Sequence, residues 1–212
     1  MEKNEMLKTG TTTVGVIGKD CVILAADKRA TAGNLIVDRE VEKVLPVNKN
    51  MAITTAGMVS EIQLIVKYLK AEVNLKAIRS DRDVLVKEAA NFIANMNYSG
   101  MRYRGSIAHF LFAGVDSIGN HLYDVYPDGS LTEISQNAGF IASGSGSVFA
   151  LGVLEDSWKP GLTDNETVEL AIRSISASMR RDSASGEGID VYIIKKDGAK
   201  RESQKILKSK LE

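Results

Sequence analysis

The sequence predicts an α+β fold of four layers, two antiparallel sheets face to face with a helix pair on each outer side. Three observations predict it. Strand-like segments come in a block, then two helical segments, then strands, two helices and a last strand, which is not the strict alternation of a parallel doubly wound fold. The helical segments with the clearest pattern are apolar along one stripe and charged on the other face, so each packs on one side only. The 212 residues are 44% hydrophobic and 25% charged, with no linker, composition shift or internal repeat, which suits one domain with a sizeable core.

The elements follow in order. Residues 1–10 (MEKNEMLKTG) are polar and add nothing to a core. Residues 11–18 (TTTVGVIG) are β-branched, and 21–27 (CVILAAD) are a nearly continuous apolar run, with Lys19-Asp20 as the hairpin turn between them. Residues 34–38 and 41–47 predict a second, more polar hairpin, and 51–55 another strand that ends at Ala56-Gly57.

Two helices come next. Ser60 is placed to cap the first, along which Ile62, Ile65, Val66, Leu69 and Val73 recur at helical spacing. The second starts near Ser80-Asp81, carries Leu85, Ala89, Phe92, Ile93 and Met96 on one face, and stops before Gly100. Strands resume at 107–115, 121–126, 131–134 and 140–143, with Pro127-Asp128-Gly129 as a turn. A Gly/Ser loop at 143–147 leads into a short helix through Leu154. Thr163 and Glu166 form a capping box for a helix to about Arg181, its core face set by Val168, Ala171, Ile172, Ile175 and Met179. Residues 182–188 make a small-residue loop, 189–196 the last clear strand, and the charged tail to Glu212 reads as peripheral.

Composition excludes several functions. Lys+Arg and Asp+Glu are both 27, so the chain has no overall basic footprint for nucleic acid or an anionic membrane. No run approaches the roughly 18 apolar residues of a membrane span, and the first residues lack the apolar core of a signal peptide. A cytoplasmic protein is expected. One Cys and two His leave no disulfide framework and make a Cys/His metal cluster untenable. Cys21 sits inside an apolar run and reads as a buried small hydrophobe, and His109 and His121 read as structural. Gly144-Ser145-Gly146 is not a phosphate loop, and neither Ser145 nor Ser185 has the flanking glycines of a nucleophile elbow.

The start of the first strand is left. Threonines favour strands, which alone accounts for Thr11-Thr12-Thr13. The other reading is a processing site at Gly10-Thr11. Cleavage there gives Thr11 a hydroxyl and a free α-amine, whose ordinary pKa of about 7.7–8.0 makes it a usable base near neutral pH.

The segments KTG-TTTVGV, VILAADKRATAG, TTAG, ASGSGS and RDSASGEGID stand in one order from about Thr9 to Lys196, nearly the whole chain. Together they resemble the β-type subunits of the 20S proteasome, the archaeal form above all, a family of N-terminal nucleophile hydrolases. The resemblance implies the αββα sandwich of that family, a removable segment 1–10 and one catalytic domain over 11–212. It implies cleavage between Gly10 and Thr11 and makes Thr11 the nucleophile, Asp27 and Lys43 its charged partners, and Ser145, Asp182 and Ser185 the groups that hold the α-amine. It assigns the oxyanion-binding N–H to Gly57. The substrate side-chain pocket corresponds to Ala30, Thr31, Val41, Leu45, Thr55 and Val59, mostly small or apolar, so a preference for apolar or aromatic residues is expected.

No metal or cofactor is implied. The partners implied are a homo- or hetero-heptameric β-type ring, two such rings stacked between α-type rings, a regulatory unfoldase ATPase reached through the α-ring, and unfolded polypeptides as substrates. Ser143 stands where relatives often have Thr, and Glu187 where some have Gly. The α-type subunits lack this Thr, and the shorter bacterial peptidase that starts with Thr fits the spacing less well. Two alternatives stay open at this point. One is a non-catalytic ring subunit that keeps its first ten residues; the other is a homologue acting on a different amide.

Overall fold

The apolar run after Thr11 forms β1 (Thr12–Ile17), buried throughout, and turns back into the equally buried β2 (Val22–Asp27). A computed structural model describes residues 10–105 and 107–202. The expected removable segment, apart from Gly10, and the tail 203–212 lie outside the described residues.

The chain continues through β3 (Ala30–Ala32), β4 (Leu35–Asp38), β5 (Val44–Asn48), β6 (Met51–Thr54) and β7 (Ala56–Gly57) to the long helix α1 (Val59–Ser80) and α2 (Val86–Arg104). The strands β8 (Ala108–Val115), β9 (Asn120–Val125), β10 (Leu131–Glu133) and β11 (Phe140–Gly144) follow. Then come α3 (Ser147–Ser157), α4 (Asp164–Met179), β12 (Ile189–Lys195) and β13 (Gly198–Arg201).

One sheet has the order β11-β1-β2-β12-β13; the other has β10-β9-β8-β6-β5, with β7 paired to β8. All pairs are antiparallel. Three apolar clusters glue the layers. Ile65, Leu69, Ile93 and Phe112 join α1 and α2 to the second sheet. Val14, Val16, Ile172 and Ile175 join α4 to the first, with Ala150 and Leu154 of α3 in the same cluster. Ile17, Leu24, Leu111 and Leu122 fill the space between the sheets. Each fully buried Leu, Ile or Phe contributes about 1.5–3 kcal/mol. The predicted four-layer α+β sandwich is the observed fold.

Local departures have physical causes. Leu35–Asp38 pairs with Ala30–Ala32, not with 41–47, because Gly33 at φ 62 supplies a tight turn. Val44–Asn48 pairs instead with β6, where Asn48 Oδ1 accepts the Asn50 N–H at 3.0 Å and folds the chain straight back. Ser60 does not cap α1. The N-cap is Met58, whose own N–H donates to Ile107 O at 2.9 Å.

Ser80 closes α1, and Asp81, at φ 48, ends it. The second helix starts later, at Val86, whose N–H donates to Asp116 Oδ2 at 2.8 Å. That contact comes from 30 residues away, and a local one adds to it, the Leu85 N–H donating to Glu88 Oε2 at 3.0 Å. The same helix runs through Gly100, which is buried, and stops at Gly105 in the left-handed region. The capping box at Thr163 forms as expected. The expected peripheral tail includes β13, an added strand on β12, with its turn at Lys196-Asp197.

Candidate active site

β1 lies between β11 and β2, so what precedes Thr12 emerges between the ends of two neighbours. Thr11 sits there, 8% exposed. Its strand neighbour Thr12 is fixed from below, since the Thr12 N–H donates to Asp27 Oδ1 at 2.9 Å. Asp27 closes β2 and is fully buried. Its carboxylate is fully used. Oδ1 also takes Lys43 Nζ at 2.8 Å, and Oδ2 takes the backbone N–H groups of Arg29 and Gly186, both at 3.0 Å. A buried charge is tolerable on those terms.

Lys43 precedes β5 and is 4% exposed. Burial pushes its ammonium below the ordinary lysine range, and the Asp27 carboxylate opposes that shift. Its backbone carbonyl accepts the Thr55 N–H at 2.9 Å, which ties it to the segment before Gly57.

A second set of groups grips the backbone of Thr11. The Gly/Ser loop at the end of β11 brings Ser145 Oγ to 3.2 Å from the Thr11 nitrogen, whose N–H it accepts, and to 3.3 Å from the Thr11 carbonyl. Its hydroxyl donates to Asp182 Oδ2 at 2.7 Å. Ser185 donates to the same oxygen at 2.6 Å and meets Thr12 Oγ1 at 2.8 Å. Gly10 N–H donates to Thr31 Oγ1 at 3.2 Å. A Cβ on Gly10 would collide with the Ala184 methyl and sit 3.0 Å from Ser145 Oγ, so only glycine fits before Thr11.

Gly57 lies across from this cluster. The bond from Met58 N–H to Ile107 O makes 58 and 107 a hydrogen-bonded pair, so Gly57, opposite Ala108, occupies the other kind of position. Antiparallel alternation turns its N–H away from β8. Its φ is 115, and an added Cβ would run into the Ile107 carbonyl.

Thr11, Lys43 and Gly57 share the wall of a cavity of about 260 Å³. Ala30, Thr31, Val41, Thr55 and Val59 line it as well. Leu45 is not in that wall. It packs against the core under α1 and α2, because β5 turns that side chain toward the helices. Ala32, Val37 and Ile62 line the cavity and were not expected. Val37 arrives because residues 34–38 fold onto β3, a pairing the polar pattern of that stretch does not announce. A larger open groove, about 880 Å³, lies beyond the opposite end of β1, lined by Lys19, Asp116, His121 and Glu133 among others, and holds none of these groups.

The remaining reactive types are occupied. Burial above all pushes the Cys21 thiol up to about 12, so it stays protonated. His121 sits between Asp116 and Glu133, and His109 between Asp124 and Ser143. Among the described residues no three His, Cys, Asp or Glu side chains are grouped as a metal set, and no helix is long and apolar enough to cross a membrane.

A family model described as "Proteasome subunit" matches residues 7–194. "Proteasome subunit beta" of Ferroglobus placidus is 43% identical over 186 residues, 87% of this chain and 86% of that protein. The protein of the same name from Archaeoglobus fulgidus is 42% identical, covering 91% of this chain and 89% of its own length. "Proteasome subunit beta 1" of Thermococcus gammatolerans is 41% identical, covering 94% and 96%.

Proposed function

The chain belongs to the proteasome subunit family, and we propose that it is a β-type subunit of the 20S particle working as a threonine endopeptidase. One observation carries the reading. Two polar clusters meet at the start of β1, Asp27-Lys43 on the Thr12 amide and Asp182-Ser145 on the Thr11 nitrogen. A structural strand end has no need of both.

The chemistry follows from these groups. In the precursor the Thr11 hydroxyl attacks the Gly10 carbonyl, the Gly10–Thr11 C–N bond breaks, and an ester forms while the amine is released. Water then cleaves the ester, freeing residues 1–10 and an α-amine. In the mature protein that amine takes the hydroxyl proton as Thr11 Oγ attacks a substrate carbonyl. The Lys43 ammonium favours the deprotonated hydroxyl, and the Gly57 N–H stabilises the oxyanion. The α-amine gives its proton to the departing amine product, and water hydrolyses the acyl ester. Ser145, Asp182 and Ser185 hold the α-amine in place. The pocket beside Thr11 suits apolar or aromatic side chains.

The partners that go with this reading are seven-membered β-type rings, α-type rings at both ends, an unfoldase ATPase acting through the α-ring and unfolded polypeptides, in the cytoplasm.

Intact mass of the assembled protein tests it. A start at Thr11, lost together with peptidase activity in Thr11→Ala, is the expected result. A persistent start at Met1 in assembled particles favours a non-catalytic ring subunit instead. Reporter peptides ending in Leu, Glu and Arg test the pocket, and faster cleavage after Glu or Arg overturns the apolar preference. Activity on simple amides but not on long unfolded chains points to a different amide substrate.

A further inference from the structure

We propose that His109 is a positioning residue for the nucleophile, tethering the strand that carries Ser145 to the opposite sheet. The inference rests on the reading of Thr11 as nucleophile.

Among the described residues β11 is an edge strand, paired with β1 on one side only. No described residue forms a ladder on its other edge. Yet its last residues, Ser143 and Gly144, run directly into Ser145, which grips the backbone of Thr11. Gly144, at φ 93, abuts the Thr11 carbonyl so closely that a Cβ would overlap it. Any slip of this strand end is therefore transmitted to Thr11.

What stops the slip comes from the other sheet. Ser143 Oγ lies 2.8 Å from His109 Nδ1, and His109 Nε2 lies 2.5 Å from Asp124 Oδ1. His109 is the second residue of β8, and Asp124 belongs to its neighbour β9. An ionised carboxylate only accepts, so Nε2 carries the hydrogen, and in the neutral ring Nδ1 accepts the Ser143 hydroxyl. Tyr126 stacks on the imidazole at 4.9 Å and holds its plane. Ser143 and Asp124 are 3% and 2% exposed, so the outer partners of both bonds are buried, while the ring between them is 23% exposed. The residue across the ladder from Ser143 is Thr13, whose Oγ1 is buried without a partner. Nothing on β1 replaces the histidine as the serine's anchor. The trio has the residue types of a hydrolytic triad, but Ser143 is sealed between the sheets, where no substrate reaches it.

The test uses the full-length, assembled protein. His109→Leu and Ser143→Ala each lower kcat by about tenfold to a hundredfold, as small misplacement of a reacting group does, with KM changed less than about twofold. The double variant is no worse than either single one, because both cut the same tether. His109→Gln, which can donate to Asp124 and accept from Ser143, restores most of the rate. Additive losses, or a normal kcat in His109→Leu, overturn the proposal. An inactive parent protein whose Thr11 is never exposed refutes the enzyme reading instead. In that case hydrogen exchange still decides the tether. Exchange over residues 141–146 must rise in His109→Leu and not in His109→Gln, with α4 unchanged, and equal exchange in all three proteins overturns it.

Discussion

Lys43 Nζ lies 2.8 Å from Asp27 Oδ1, and both residues are buried at the mouth of β1, where that same oxygen also holds the Thr12 amide. The pair therefore sets the charge beside Thr11 and the position of the strand that carries it.

This pair gives a pH prediction. Burial lowers the Lys43 pKa in the folded chain. Between that value and the ordinary lysine value of about 10.4, the unfolded chain binds more protons than the folded one, so stability rises with pH across the window. The cost of burying the ammonium is present in full below it. Activity runs the other way. If Thr11 needs the cation, kcat falls on the alkaline side before pH reaches about 10.4. A pH–rate profile checks this, and a flat rate through that value counts against a catalytic Lys43.

Gly57→Ala places a methyl against the Ile107 carbonyl at a φ of 115. Strain of about 1–3 kcal/mol is expected. The peptide plane must turn, and loss of one oxyanion donor lowers kcat by about 10²–10³-fold. Steady-state kinetics with a melting curve separate the two effects. An unchanged kcat removes Gly57 from the oxyanion site.

Thr13→Val removes the buried, unpartnered Oγ1 while keeping the shape of the side chain. An unsatisfied buried hydroxyl costs about 1–3 kcal/mol, so this variant should be the more stable one. Each kcal/mol raises Tm by about 2–4 °C in a chain of this size. A lower Tm means that the hydroxyl has a partner in solution.

Glu187 occupies the left-handed region at φ 67, and its carboxylate pairs with Arg29 at 3.0 Å. Left-handed backbone costs a non-glycine residue about 1–2 kcal/mol, and a part-exposed ion pair returns at most about 1. Glu187→Gly should therefore be neutral or slightly stabilising. Glu187→Ala keeps the strain and loses the pair, so it should be the less stable of the two. Denaturant titration of both variants orders them, and the reverse order means that the pair outweighs the strain.

Much of this architecture was legible because hydrophobic period and burial coincide. The stripe from Ile62 to Val73 and the run before Asp27 need no tertiary information. Pairing partners were less legible. A strand pattern says which faces are buried but not which neighbour is chosen, so Gly33 and Asn48 decided the hairpins. The α2 start is held by Asp116 from a distant loop as well as by Glu88 nearby, and Gly100 continues a helix that its residue type suggests ending. In the site, Thr11, Asp27, Lys43, Ser145, Asp182 and Ser185 were reached through a resemblance rather than through local pattern, and the structure brings them together. The Leu45 position failed because family register places a residue on a strand without saying which way that side chain turns. His109 read correctly as structural, but its link to Ser143 crosses between sheets and leaves no trace in the spacing.

The groups around Thr11 come from both ends of the chain. Asp182 and Ser185 follow α4 and precede β12, which must itself dock on β2 before the loop is held. A nascent chain growing from its N-terminus thus presents Thr11 first and completes its surroundings last. A polypeptide stopped short of β12 has the threonine but neither Asp182 nor Ser185 in place. On the proposed reading, a truncated translation product is an inert fragment rather than a loose protease, and synthesis order itself delays activation until the whole domain exists.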